Sequence, residues 1–182
     1  MGVVHKSRPE IIEYILEQKK LNSHVSCRNL TVLVENKFGV LARISGLFSA
    51  RGYNIASLAV SETLDPEISY MTIVVEAKDE KVLEQINKLL NKLIDVITVT
   101  DFTKKEYLDR ELVLAKINFT AKDKPRLEAM LSKFSGKIIH HKADTAIIEA
   151  VGDQQQIKEL LEELNKFGIK ELVKTGKLAI SN

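Results

Sequence analysis

Asn36 and Gly39 sit between an apolar run at 30–34 and a helical apolar stripe that begins at Val40. Their types and spacing point to ligand chemistry. A helix beginning here presents unpaired backbone N–H groups and partial positive charge, which suit a carboxylate or a phosphate. Gly39 has no Cβ to hold a small ligand away from the backbone. Asn36 offers a carbonyl acceptor and an NH₂ donor, so it can meet an ammonium or a carboxylate. Asn54, at the start of the following strand, adds a second amide, and Val40, Leu41, Ile55 and Leu58 flank the turn with aliphatic side chains. A small zwitterion with an aliphatic side chain fits this set better than a nucleotide. The same Asn and Gly are also residue types that simply make a turn, and on residue types alone both readings stand.

The elements that position the turn follow from periodicity. Residues 30–34 read as a β-branched strand, and Val40, Ile44, Leu47 and Phe48 fall on one helix face. Arg51-Gly52 ends that helix. Residues 53–61 alternate as a strand, with Ile55, Ser57 and Ala59 on one side and Ala56, Leu58 and Val60 on the other. A connection at 63–67, a strand at 69–76, a helix from Asp79 carrying Val82, Leu83, Ile86, Leu89 and Leu90, and a strand at 96–100 complete a β-α-β-β-α-β set. The same rhythm repeats in strand 112–119, helix 125–134, strands 137–141 and 145–151, helix 155–167, and a short ending through Leu172 and Leu178-Ala179-Ile180. The second pass carries Thr120-Ala121-Lys122-Asp123 where the first has its Asn36/Gly39 turn.

The expected fold class is therefore α+β with tandem ferredoxin-like βαββαβ domains. The expected boundaries are an N-terminal helical extension at 1–24, a first domain at 25–103 and a second at 104–182, parted near Thr103-Lys104-Lys105-Glu106. In the extension, Ser7 and Glu10 have capping-box spacing, and Ile11, Ile12, Ile15 and Leu16 form an apolar stripe for this domain or a partner. Strand 69–76 is apolar on both phases, Met71, Ile73 and Val75 on one and Tyr70 and Val74 on the other. A homodimer joined along sheets or sheet edges would cover the second phase.

Composition excludes other classes. The 182 residues are 45% hydrophobic and 29% charged, with a net charge of +2, an ordinary globular balance that argues for neither nucleic acid nor an anionic membrane as partner. No apolar run approaches the ~20 residues of a membrane span, and no secretory core is evident, so the cytoplasm is the expected compartment. A single cysteine, Cys27, excludes an internal disulfide and a multi-cysteine zinc site, and reads as a small half-buried residue. His140 and His141 are adjacent on a strand and point to opposite faces, so no metal site is expected. No catalytic constellation emerges either. An acylphosphatase-like enzyme shares the topology but needs an Arg in its phosphate loop, whereas Arg43 and Arg51 lie within or at the end of the first helix.

Glu35-Asn36-Lys37-Phe38-Gly39-Val40-Leu41-Ala42-Arg43-Ile44, then Leu47-Phe48, then Arg51-Gly52-Tyr53-Asn54-Ile55-Ala56-Ser57-Leu58 form a long and specific pattern. It resembles the opening of the acetolactate synthase (acetohydroxyacid synthase) small regulatory subunit. Asp65-Pro66, Met71-Thr72-Ile73, Lys92 to Val96, Arg110-Glu111-Leu112, Phe134 to Ile139 and Thr175-Gly176 extend the resemblance over about 28–181. It implies an N-terminal ACT domain that binds a branched-chain amino acid at a dimer interface, followed by a C-terminal ferredoxin-like domain. The effector would be valine, with isoleucine and leucine as other candidates. Its carboxylate would meet backbone N–H groups at Gly39, Val40 and Leu41, while Asn36 and the opposing chain's Asn54 and Ile55 complete the site. The partner implied is a large catalytic subunit using thiamine diphosphate, Mg²⁺ and FAD. This chain would carry no cofactor or catalysis of its own, and would raise the partner's activity and lower it on binding valine. Ala42 stands where some members carry Ser, so feedback strength is expected to vary. The tandem arrangement also resembles free-standing amino-acid sensors of the glycine cleavage repressor type, which act on another regulatory partner.

Overall fold

Leu30, Val32 and Val34 alternate along β1 (Ser26–Glu35) and are completely buried, the period-two signature of a strand with one face against helices. The structure is a computed structural model and describes residues 26–77, 79–103 and 105–182; the stripe read at Ile11, Ile12, Ile15 and Leu16 lies outside them. After β1 come α1 (Val40–Ala50), β2 (Ile55–Glu62), β3 (Ile68–Ala77), α2 (Glu80–Leu90) and β4 (Val96–Asp101). The strands pair antiparallel in the order β2-β3-β1-β4. β2 therefore runs parallel to β1 with β3 inserted between them, the split βαβ arrangement. Val40, Ile44 and Phe48 of α1 and Leu83, Ile86 and Leu90 of α2 share one core with Met71, Ile73 and Val75 of β3.

The second set is β5 (Tyr107–Asn118), α3 (Lys124–Leu131), β6 (Lys137–His141), β7 (Thr145–Gly152), α4 (Gln154–Asn165) and β8 (Ile169–Lys174). Its order, β6-β7-β5-β8, repeats that of the first, so the chain has the tandem α+β, ferredoxin-like fold. Ile117, Leu127, Ile148, Leu160 and Leu164 are fully buried in its core. Asp153 and Gln156 cap α4 reciprocally, at 2.8 and 3.0 Å. A last short strand, β9 (Leu178–Ser181), pairs with β5. The chain divides into two compact units. The first contains residues 26–109 together with Gly176–Asn182, and the second contains Arg110–Thr175.

Three features depart from the sequence expectations. The first is the placement of Gly176–Asn182, read from sequence as the end of the second domain, within the first unit. The Tyr70 hydroxyl donates to Ala179 O at 2.8 Å, Ala179 N–H donates to Thr72 Oγ1 at 3.4 Å, and Lys177 N–H donates to Ser57 Oγ at 3.2 Å. With this segment in place, Thr72 and Val74 are only 1% and 3% exposed. The second phase of β3 is thus covered in part within its own chain, at Tyr70 and Thr72, and β2 keeps a free edge.

Second, a register shift between Ile55 and Ser57 sets Ile55 opposite Val75 and Leu58 opposite Ile73. The extra residue turns Leu58 to the same side as Ile55, and both pack on the helix-side core. Uniform alternation puts them on opposite sides. Third, Cys27 is exposed, not half-buried. It lies in phase with Asn29 and Thr31, on the face away from the helices, at the far end of the strand.

Candidate ligand site at the first helix N-terminus

Three connections converge on the turn after β1. Glu35 N–H donates to Asp95 O at 2.9 Å, Asn36 N–H donates to Glu67 O at 2.6 Å, and Asn36 Nδ2 donates to Pro66 O at 2.9 Å. These bonds lash the turn to the loop between β2 and β3 and to the loop before β4. With Nδ2 engaged, Asn36 has its carbonyl oxygen to offer a ligand ammonium. Gly39 then takes a left-handed conformation, φ 84°, which a side chain would strain. It occupies the N-cap position of α1 with no side-chain cap, and no acidic residue follows in the first turn. The leading N–H groups of α1, at Leu41 and Ala42, therefore have neither an intrahelical acceptor nor a side-chain carboxylate.

The equivalent turn of the second unit is closed by its own carboxylate. Thr120 N–H and the Thr120 hydroxyl both donate to Asp123 Oδ2, at 2.9 and 2.5 Å. The Thr120 hydroxyl, followed by its N–H, holds the Asp123 carboxyl below the usual carboxylate range. Of the two equivalent turns, only the first is open to an external anion.

Arg43 brings to this turn a guanidinium that the sequence reading does not place there. A Cβ on Gly39 would lie 3.1 Å from Arg43 Nη1, so the space glycine leaves on that side is filled by arginine. Arg43 Nε donates to Asp95 Oδ2 at 2.8 Å, with Asp95 largely buried. The i, i+4 spacing from Gly39 to Arg43 is the sequence signal that could have found it. On the other flank Lys37 pairs with Glu35 at 2.8 Å, and that hydrogen bond, together with the Glu35 charge, raises its pKa. Phe38 and Leu64 stand fully exposed on the adjoining loops.

Asn36, Gly39, Val40 and Leu41 share this turn. Val40 is buried in the core and its N–H donates to Lys37 O at 3.3 Å, so it anchors the helix, while Leu41 is 43% exposed. Asn54 and Ile55 stand elsewhere. Ile55 pairs with Val75, itself the partner of Arg28 at the start of β1, whereas Glu62, at the other end of β2, pairs with Ser69, the partner of Val34. The two groups of residues lie at opposite ends of one sheet, about 23 Å apart along β2 at ~3.3 Å per residue. Within a single chain they are not brought together.

Other candidates lack a matching environment. Among the described residues no group of three or more His, Cys, Asp or Glu gathers to hold a metal ion, and His140 and His141 are both exposed. A cleft of about 200 Å³ opens between Thr31, Tyr70, Thr98, Thr100, Phe102 and Ile180, with no carboxylate or basic group to hold a zwitterion. No helix among the described residues is long and apolar enough to cross a membrane.

Comparison with known proteins agrees over both units. Residues 30–98 match the AHAS small subunit-like ACT domain family, and residues 110–182 match the family described as small subunit of acetolactate synthase. A probable acetolactate synthase small subunit from Archaeoglobus fulgidus is 42% identical over 151 residues, 83% of this chain and 94% of that protein. An acetolactate synthase small subunit from Aquifex aeolicus is 41% identical over 173 residues, 93% of this chain and 89% of that protein. The crystal structure of the Thermotoga maritima acetolactate synthase small subunit superposes with a TM-score of 0.78 at 32% identity, covering 87% of this chain and 98% of that one. The chain belongs to the acetolactate synthase small-subunit family, whose members are regulatory subunits.

Proposed function

We propose that this chain raises the activity of a large, thiamine-diphosphate-dependent acetolactate synthase subunit and lowers it on binding valine, with isoleucine and leucine as the other candidate effectors. The observation that carries this reading is the open N-terminus of α1, where Gly39 provides no cap and no acidic residue follows. The effector carboxylate meets the N–H groups at Gly39 and Leu41, with Val40 anchoring the helix between them, and the Asn36 carbonyl takes its ammonium. The thiamine diphosphate, Mg²⁺ and FAD belong to the large subunit, and the pair works in the cytoplasm.

The site is shared between two copies. β2 is an edge strand, and pairing two β2 edges antiparallel about a twofold axis brings the start of one beside the end of the other. Asn54 and Ile55 of a second copy then arrive at the end of the sheet that carries Asn36 and Gly39. An effector bound there favours one arrangement of the dimer, which is how it can act on a partner enzyme.

Thermal unfolding of the full chain with millimolar valine, isoleucine, leucine or glycine tests the reading, since a ligand that binds only the folded dimer raises its stability. A rise with valine that is lost in Asn36→Ala is expected. A rise with glycine alone, or with none of the four, overturns it.

A further inference from the structure

Residues 176–182 seat on β2 and β3 through contacts that side chains specify. Gly176 has φ +80°, and a Cβ there would collide with Ser57 Oγ and lie 3.8 Å from Leu58 N. Lys177 N–H donates to Ser57 Oγ at 3.2 Å, and the Lys177 ammonium lies 3.6 Å from Asp109, with both side chains mostly buried. Ala179, 4% exposed, has its carbonyl held by the Tyr70 hydroxyl and its N–H by Thr72 Oγ1. Asn182 N–H reaches Glu106 O at 3.4 Å. Ser57 is the first residue after the β2 register shift, and Ile55 is the last before it. The bulge next to Asn54 and Ile55 is therefore one of the points on which the C-terminal segment rests.

We infer that residues 176–182 form a latch on the β2 bulge, and that Ser57, Gly176 and Tyr70 are positioning residues for the Asn54–Ile55 half of the effector site. This rests on the proposed site, in which Asn54 and Ile55 reach a second copy. A seated latch holds the bulge in the register that presents them. An effector that binds this register must in turn stabilise the latch, because coupling between two sites is reciprocal.

The test is amide hydrogen exchange of the full chain over 176–182, with and without 10 mM valine, alongside valine affinity by titration calorimetry. Valine is expected to slow exchange at Lys177 and Ala179 at least threefold. Gly176→Val, which drives a side chain into Ser57, is expected to weaken valine binding at least tenfold. Tyr70→Phe, which deletes one latch bond and keeps the shape of the side chain, should weaken it about threefold while speeding exchange at 178–180. If Gly176→Val does not fold, Tyr70→Phe alone decides between the outcomes. Valine bound with wild-type affinity by the variants, with exchange over 176–182 unmoved by valine, overturns the latch and leaves the site standing. Absence of valine binding by the wild-type chain overturns the site itself, and the latch's role with it.

Discussion

Arg43 and Asp95 join the first turns of α1 to the loop before β4 across 52 residues of sequence: Nε donates to Oδ2 at 2.8 Å while the same guanidinium packs against Gly39. Asp95 is largely buried and Arg43 half exposed, and the Asp95 carbonyl also receives Glu35 N–H. The pair braces both ends of the ligand turn. Asp95→Asn should cost about 1 kcal/mol, because solvent screens the exposed arginine, and urea unfolding measures that loss. The variant should also bind valine more weakly, by calorimetry, as the turn loosens.

Gly39→Ala should be more damaging at the site than in the fold. Its left-handed backbone disfavours a side chain by about 1–2 kcal/mol, and the new Cβ would press on Arg43 Nη1 at 3.1 Å. Denaturant unfolding is expected to show that loss, and thermal shift is expected to show no response to valine.

Asn36→Ala removes the donor to Pro66 O on an exposed turn. The loop between β2 and β3 keeps its own bonds, among them Ile68 N–H to Asp65 O at 3.0 Å, so the fold should lose less than about 1 kcal/mol. Valine affinity should fall at least tenfold. Circular dichroism and calorimetry separate the two effects.

The closed turn of the second unit carries a pH signature. Asp123 titrates below its ordinary range because the Thr120 hydroxyl and N–H favour its charged form. A depressed folded pKa contributes stability above the unfolded value and loses it as pH falls through the folded one. Thr120→Ala should therefore be less stable than wild type at pH 7. That difference should shrink as pH falls below the usual aspartate range. Equilibrium unfolding at a series of pH values from neutral downward measures it.

Much of this architecture was legible in the sequence because burial repeats with the period of each element. Leu30, Val32 and Val34 mark a strand, and Leu83, Ile86 and Leu90 mark a helix face, whatever the tertiary context. The Asn36/Gly39 turn was legible because an uncapped helix start and a missing Cβ are local properties. What sequence did not reveal is non-local or aperiodic. The bulge after Ile55 inserts one residue into an otherwise regular alternation, and nothing in Ile55-Ala56-Ser57 announces it. The seat of Ala179 on Tyr70 and Thr72 spans 107 to 109 residues, so three short apolar residues near the end look like the close of the second domain. Arg43 reads as a helix residue, because its side chain returns to the turn only through Asp95.

Mixing two defective chains shows whether each effector site draws on both protomers. Asn36→Ala and Asn54→Ala each abolish both sites of a dimer if every site takes Asn36 from one protomer and Asn54 from its partner. After unfolding and refolding an equal mixture, half the dimers carry one copy of each variant, and each of these has one intact site. Titration calorimetry should then recover valine binding at roughly a quarter of the wild-type number of sites, with wild-type affinity, although neither variant binds alone. No recovery from the mixture, with each variant folded and dimeric, would contradict a site shared between two copies.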